Sequence, residues 1–243
     1  MVRIHALGCL DVRTEAGVCH GVIGRPKRLA LLLYLAVERP GEFHQRDVLL
    51  SLLWPESSQE RGRQALRQSL HVLRREIGAD VLRSRADGAV ALELSRVSCD
   101  VVDFDRAYLR GDHGVALDLS GGPFLEGVFL DPSPAFEDWL QRVRIRHRAR
   151  AAECALREAE AARARGQHQV AVEVLRQGLE IDSLNEELFR QLAAALAHMG
   201  RRADAVQSYQ RLRTRMADEL DVLPSPETEH ILQTILRPPA VGP

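Results

Sequence analysis

Two halves of different class are expected in this 243-residue chain. The first is an α+β segment over residues 1–97; the second is an all-α helical domain over 98–237, followed by a disordered tail at 238–243. Three observations predict the division. The N-terminal part mixes short period-two apolar runs with helical runs and ends in a hairpin signal. From about residue 102 the apolar spacing is helical, and a 34-residue period appears. Charge divides at the same place: residues 1–97 carry 15 Arg+Lys against 11 Asp+Glu, and residues 98–243 carry 18 against 23.

Residues 2–22 alternate as Val2-Arg3-Ile4-His5-Ala6-Leu7 and Leu10-Asp11-Val12-Arg13, punctuated by Gly8, Gly17 and Gly21, which predicts two or three short strands. Pro26 suits the first turn of a helix, and Leu29, Leu32, Leu33 and Ala36 recur at helical spacing until Pro40-Gly41 stops it. A second short helix over about 44–53 rests on Val48, Leu49, Leu52 and Leu53 and ends at Trp54-Pro55. A third helix covers 59–77 and is closed by Gly78. Asp87-Gly88, between the strand-like runs 81–85 and 89–94, predicts a hairpin.

In the second half, Ser120-Gly121-Gly122-Pro123 and Asp131-Pro132-Ser133-Pro134 read as turns, and 135–165 as one or two long helices. Gly166 and Gly200, Ala171 and Ala205, Val172 and Val206, and Leu175 and Tyr209 are each 34 residues apart, the tetratricopeptide spacing. Two unrelated helical hairpins are the alternative reading.

A chain with 45% hydrophobic and 28% charged residues builds a sizeable core without disulfides or metal. Cys9, Cys19, Cys99 and Cys154 form no C-x-x-C and have no His at ligand spacing, so four small reduced core residues are expected, with no metal or cofactor. The longest apolar run, 29–37, is too short for a bilayer, and Asp11 and Arg13 interrupt any leader sequence. The expectation is a cytoplasmic protein with no membrane partner.

The third helix carries the sharpest functional signal. On a helical wheel Leu66, Leu70, Leu73 and Ile77 form one stripe, and Gln64, Arg67, Gln68, His71, Arg74 and Arg75 cluster opposite, with no acid among them. An idle solvated face gains from mixed signs at i,i+4. An Arg/Gln face instead matches base edges in a major groove, where Arg forks onto guanine and Gln onto adenine. Gln64, Arg67, Gln68 and His71 are therefore the candidate base readers. Arg25, Lys27 and Arg28 begin the first helix, where free N–H groups favour phosphate. Arg83 and Arg85 share one face of the hairpin. With Arg74 and Arg75 these five are the candidate phosphate contacts, which set register without reading sequence. Three helices followed by a two-stranded wing, with the basic face on the third helix, make a winged helix-turn-helix.

The residues also carry a family resemblance. Leu7-Gly8-x-Leu10-x-Val12, Arg25-Pro26-Lys27-x-x-Ala30-Leu31-Leu32, Leu49-x-x-x-Leu53-Trp54-Pro55, Ala65-Leu66 and Leu73-Arg74-Arg75-Glu76-Ile77-Gly78 resemble the response-regulator class of winged helix. The nearest version is that of the Streptomyces antibiotic regulatory protein (SARP) family. Asp103-Phe104-Asp105, Gly127-Val128-Phe129-Leu130-Asp131, Glu137-x-Trp139-Leu140, the stretch from Leu188-Phe189-Arg190-x-Leu192 to Glu219-Leu220, and Pro224-Ser225-Pro226-Glu227-Thr228 resemble the bacterial transcriptional activation domain. The resemblance spans about residues 2–236. It implies activation of transcription by binding direct repeats in promoter double-stranded DNA and recruiting RNA polymerase, with two copies of the chain on the DNA. It also implies that Trp54, Pro55, Glu56, Ser57 and Ser58 form a polymerase-facing loop.

An enzyme is not expected, and no catalytic residue is assigned. Leu119-Ser120-Gly121-Gly122 has the look of a transporter-ATPase signature, but no G-x-x-x-x-G-K-[ST] cradle accompanies it. The rival reading is a tetratricopeptide-type adaptor with little DNA binding. Repression in place of activation is not separable from sequence.

Overall fold

The computed structural model describes residues 1–125 and 133–237. The 127–131 motif, Asp131-Pro132 of one expected turn, and the 238–243 tail lie outside the described residues. The chain forms two compact units. One comprises Met1–Arg106 with Leu119–Arg146, the other Ala107–Asp118 with His147–Pro243.

The first unit opens with β1 (Val2–His5), β2 (Asp11–Thr14) and β3 (Gly17–Val18). A one-turn helix α1 (His20–Ile23) follows, then α2 (Pro26–Val37), α3 (Arg46–Leu53) and α4 (Gln59–Ile77). The hairpin strands β4 (Leu82–Ser84) and β5 (Val90–Leu92) come next. A single 3-10 turn leads to β6 (Val97–Cys99) and directly into α5 (Asp100–Arg110). Four strands pair in the order β3-β2-β1-β6, with β6 parallel to β1 and the other pairs antiparallel. Val2, Ile4, Val12, Val97 and Cys99 are buried while Arg3, His5 and Arg13 are exposed, the period-two alternation of a sheet with one face on a core. That core is centred on α2, whose Leu29, Leu31, Leu32, Leu33 and Leu35 are each at most 2% exposed. A helix apolar on all sides must be enclosed, and this one is.

The expected elements up to the hairpin are present, with shifted edges. His44 is not in the second helix: it pairs with Val90 through two backbone hydrogen bonds of 2.8 and 2.9 Å, extending the hairpin sheet. β6 was not expected. Three residues carry no readable period, and their partner β1 lies more than ninety positions away. Cys9 corrects another expectation: it is exposed on the turn between β1 and β2, while Cys19, Cys99 and Cys154 are buried. Burial pushes the Cys99 and Cys154 thiols up to about 12, so both stay protonated.

After α6 (His113–Leu119) the chain runs along the β1–β2 turn. Gly8 N–H donates to the Pro123 carbonyl (3.0 Å) and Leu125 N–H to the Ala6 carbonyl (2.8 Å). A Cβ on Gly8 would stand 2.5 Å from the Gly121 carbonyl oxygen, so the glycines of Ser120-Gly121-Gly122 serve backbone-to-backbone packing. The long helix α7 (Pro134–Ala164) then begins. In its first turns Trp139 is enclosed by Tyr34, Phe136 and Phe124 at 5.2, 5.1 and 6.2 Å between ring centroids, and its indole N–H donates to Glu38 (3.0 Å). Ser133 Oγ donates to the Leu52 carbonyl, and Arg144 donates to the carbonyls of Phe124 and Leu125.

The second unit holds α6, the rest of α7, α8 (His168–Ile181), α9 (Glu186–His198), α10 (Arg202–Leu220) and α11 (Pro226–Leu236). α8 and α10 each begin two residues past a glycine, Gly166 and Gly200, with φ of 73° and 72°. Ala171 and Ala205 are fully buried, as is Leu175, and Tyr209 is nearly so. Two of the pairs 34 apart thus pack alike, whereas Val172 is fully buried and its counterpart Val206 is only half-buried. A Cβ on Gly178 would stand 2.7 Å from the Ala155 Cβ, so α8 lies in close contact with α7. α11 is pinned by Ser225, whose N–H and Oγ both donate to Glu186 (2.8 and 2.6 Å), and by Arg190 donating to Thr228 (3.1 Å). Among the described residues no helix is long and apolar enough to cross a membrane.

Candidate nucleic-acid interface

α4 divides its residues as an amphipathic helix must. Leu66, Leu70, Leu73 and Ile77 are at most 4% exposed, while Gln64, Arg67, Gln68 and His71 are all exposed. None of these four side chains makes a hydrogen bond or ion pair among the described residues. Arg63, one turn before Arg67, is exposed beside them. It was absent from the expected set although it shares their face at i,i+4.

The hairpin stands against the C-terminal half of α4. Arg74 donates to Ser84 Oγ (2.8 Å), so this guanidinium braces helix to strand and is only half exposed. Arg83 and Arg85 both lie over the Phe43 ring, at 5.1 and 4.1 Å from its centroid, as alternation along one strand requires. Arg83 also donates to the Gly41 carbonyl (2.8 Å) and pairs with Glu93 (3.4 Å). Phe43 was not singled out from sequence, because a lone loop aromatic carries no period.

The hairpin turn is tied down. Gly88 N–H donates to the Arg85 carbonyl (3.0 Å), Asp87 accepts from the Ala89 N–H (3.0 Å) and from the Gln45 amide (3.3 Å), and Arg46 donates to the Gly88 carbonyl (2.7 Å). Those donors, the Ala89 N–H first, hold the Asp87 carboxyl below its ordinary range. Between this turn, the start of α3 and the first half of α4 opens a polar groove of about 700 Å³, with Arg46, Gln59, Arg63 and Arg67 on its walls.

The other expected phosphate contacts lie about the last turn of α4, where α1 meets Glu76. Arg25 is exposed just before α2, and Lys27 is half exposed. Arg28 is turned inward: it donates to the Gly21 carbonyl, its Nε is buried without a partner, and burial followed by repulsion from Arg25 lowers its pKa. Arg75 is exposed and donates to neighbouring Glu76 (3.1 Å). Of the residues 54–58, Trp54 is buried at the C-terminus of α3, and Pro55, Glu56, Ser57 and Ser58 are exposed.

The surface therefore has a centre of unengaged Gln, Arg and His donors on one helix, with arginine clusters on both flanks. Such an array donates hydrogen bonds and positive charge to an extended polyanion with readable edges. It holds no nucleophile–base pair, and no group of three metal-ligating side chains occurs among the described residues.

Comparison with known proteins places this surface in context. Residues 99–236 match the bacterial transcriptional activator domain family. Regulatory protein AfsR of Streptomyces coelicolor is 31% identical over 229 residues, which cover 88% of this chain and 22% of AfsR, so the chain spans about a fifth of that relative's length. Transcriptional regulatory protein MoaR1 of Mycobacterium tuberculosis is 27% identical over 256 aligned positions, covering 97% of this chain and 79% of MoaR1. Among solved structures, Mycobacterium tuberculosis EmbR in complex with low affinity phosphopeptide has a TM-score of 0.62 at 22% identity, covering 97% of this chain and 65% of that chain. That last likeness is one of fold.

Proposed function

The chain belongs to the bacterial transcriptional activator domain family as a SARP-type transcriptional regulator, and from that premise we propose that it reads promoter DNA through α4 and activates transcription. The observation that carries this reading is the acid-free, unengaged face of Gln64, Arg67, Gln68 and His71. In this reading residues 1–97 are a winged helix-turn-helix with β4 and β5 as its wing, and residues 98–237 are a tetratricopeptide-like activation domain.

α4 enters the major groove, where Arg67, Gln68, His71 and Gln64 meet base edges. Arg25, Lys27, Arg75, Arg83 and Arg85 meet phosphates, and Arg63 joins them from the α4 groove. Arg74 and Arg28 act mainly by holding α4 and α2 in place, because each engages Ser84 or Gly21 and, unlike the engaged but exposed Arg75 and Arg83, is only half exposed. Two copies occupy tandem half-sites about one helical turn apart. Pro55, Glu56, Ser57 and Ser58 face RNA polymerase, in the cytoplasm.

The test is selection from a random duplex pool, followed by binding of the winning sequence at several salt concentrations. The expected result is an enriched direct repeat with a log-log salt slope of about −0.9 per phosphate neutralised. Arg67→Ala is expected to lose about 1–3 kcal/mol on the selected site and to relax base preference locally. Equal losses on selected and random DNA would sink the base-reading role. Weak, salt-insensitive binding without enrichment would favour the adaptor reading.

A further inference from the structure

The turn that ends α10 shows apolar surface to solvent. Leu220, Val222 and Leu223 are 54, 45 and 61% exposed. Exposed aliphatics scattered singly are ordinary, but these three fall within four consecutive positions and form a patch. The patch is also fixed in place. Asp221 takes the left-handed conformation at φ 54°, and its N–H donates to the Ala217 carbonyl (3.1 Å). Val222 N–H donates to the Met216 carbonyl (3.3 Å), and Pro224 is buried. A residue that follows a left-handed helix end commonly packs back on its own helix, yet Val222 stays open to solvent. Asp218, Glu219 and Asp221 stand among these aliphatics, all exposed, and none of their carboxylates has an ion pair or hydrogen bond among the described residues.

A second face carries the opposite charge. Ile145 of α7 is 65% exposed, and its neighbours at i−4, i−3, i+3 and i+4 are Gln141, Arg142, Arg148 and Ala149. All four are exposed and none is acidic. Arg142 and Arg148 make no ion pair among the described residues, whereas Arg146 between them in sequence pairs with Asp105 (3.5 Å). An apolar centre among carboxylates and an apolar centre among guanidinium groups are complementary surfaces, and one chain presents both.

Symmetry gives the pair a use. Copies on a direct repeat are related by a shift along the duplex and not by a two-fold axis, so any contact between them joins two different surfaces. We propose, resting on the tandem-site reading above, that the α10 turn of one copy docks on the α7 face of a second copy. Leu220, Val222 and Leu223 pack around Ile145, and Asp218, Glu219 and Asp221 meet Arg142 and Arg148. So few side chains cover far less than the roughly 800 Å² per partner of a stable interface. The contact therefore forms between copies that DNA already holds close, where it acts as cooperativity.

The experiment has two arms. The full chain is titrated onto duplexes carrying one or two selected half-sites, and it is sedimented without DNA at near-millimolar concentration. The second copy is expected to bind about tenfold more tightly than the first. Without DNA a salt-sensitive series of oligomers is expected, because head-to-tail contacts do not close. D218R/E219R and R142E/R148E are each expected to abolish both effects and to keep the affinity for one half-site. All four swaps in one chain should restore both effects. These side chains are exposed, and arginine suits the last turn of a helix, so circular dichroism is expected to be unchanged. Independent binding to two half-sites with no oligomers, a closed dimer that grows no further, or failure of the four swaps to restore the effects would overturn the proposal. Oligomers that respond to the swaps, with no direct repeat enriched, would support the contact and count against the reading of α4.

Discussion

At the scale of single residues, Asp100 links the end of β1 to the start of α5. Its two carboxylate oxygens accept from the N–H groups of Ala6 (3.0 and 2.8 Å), Leu7 (3.0 Å) and Val101 (2.8 Å). Burial pushes this carboxyl up, and the backbone donors oppose that shift. Asp100→Asn is expected to lower stability by about 1–3 kcal/mol in urea titrations, because one amide oxygen cannot serve donors arranged for two. His44 makes a pH prediction. Its ring is buried against Tyr34, its Nε2 has no partner, and desolvation depresses its pKa below 6.5. A depressed folded-state pKa means that the unfolded chain binds the proton more readily. Stability from this group is therefore present above 6.5 and is lost as pH falls toward the folded value. Urea midpoints at pH about 7.5 and about 5.5 should differ less in His44→Phe than in the parent. Phe43→Ala, by removing the platform under Arg83 and Arg85, is expected to weaken DNA binding by about 0.5–1 kcal/mol evenly over all sequences. A base-specific loss in a binding-site panel would contradict that.

At the scale of elements, the close approach of α8 to α7 permits a prediction that opposes helix propensity. Alanine at position 178 should favour the isolated helix by about 1 kcal/mol over glycine. With the new Cβ meeting Ala155 Cβ at 2.7 Å and the Leu188 methyls near 3.1 Å, Gly178→Ala is nonetheless expected to destabilise the chain by about 1–3 kcal/mol. A gain in thermal midpoint would show that α8 shifts freely. Elements with a strong local signal were legible in advance. α4 was expected over 59–77 and spans Gln59–Ile77, because its apolar stripe repeats over five turns and Gly78 ends it. The hairpin was legible from Asp87-Gly88. What escaped was decided by distant partners. β6 exists because β1 lies alongside it, and the inward turn of Arg28 depends on the Gly21 carbonyl. The buried position of Trp54 and the Phe43 platform likewise follow from packing, which no spacing within the segment records.

At the scale of the whole molecule, the units do not follow the charge boundary near residue 97. The unit built on the N-terminal sheet also includes Leu119–Arg146, with Phe124, Phe136 and Trp139 each at most 2% exposed. Residues 1–97 expressed alone would leave Tyr34, Glu38 and the Leu52 carbonyl without these partners. That fragment is expected to melt well below residues 1–146, each missing large apolar contact being worth about 1.5–3 kcal/mol. Equal melting curves would mean that the α2 core is sufficient by itself. The return of the 119–146 segment to the β1–β2 turn also bears on how the chain is made. The Ala6–Leu125 and Leu52–Ser133 pairings join positions that leave the ribosome far apart in time. During synthesis the sheet therefore emerges before the segment that completes its packing, and its apolar face stays open until residue 146 has cleared the exit tunnel.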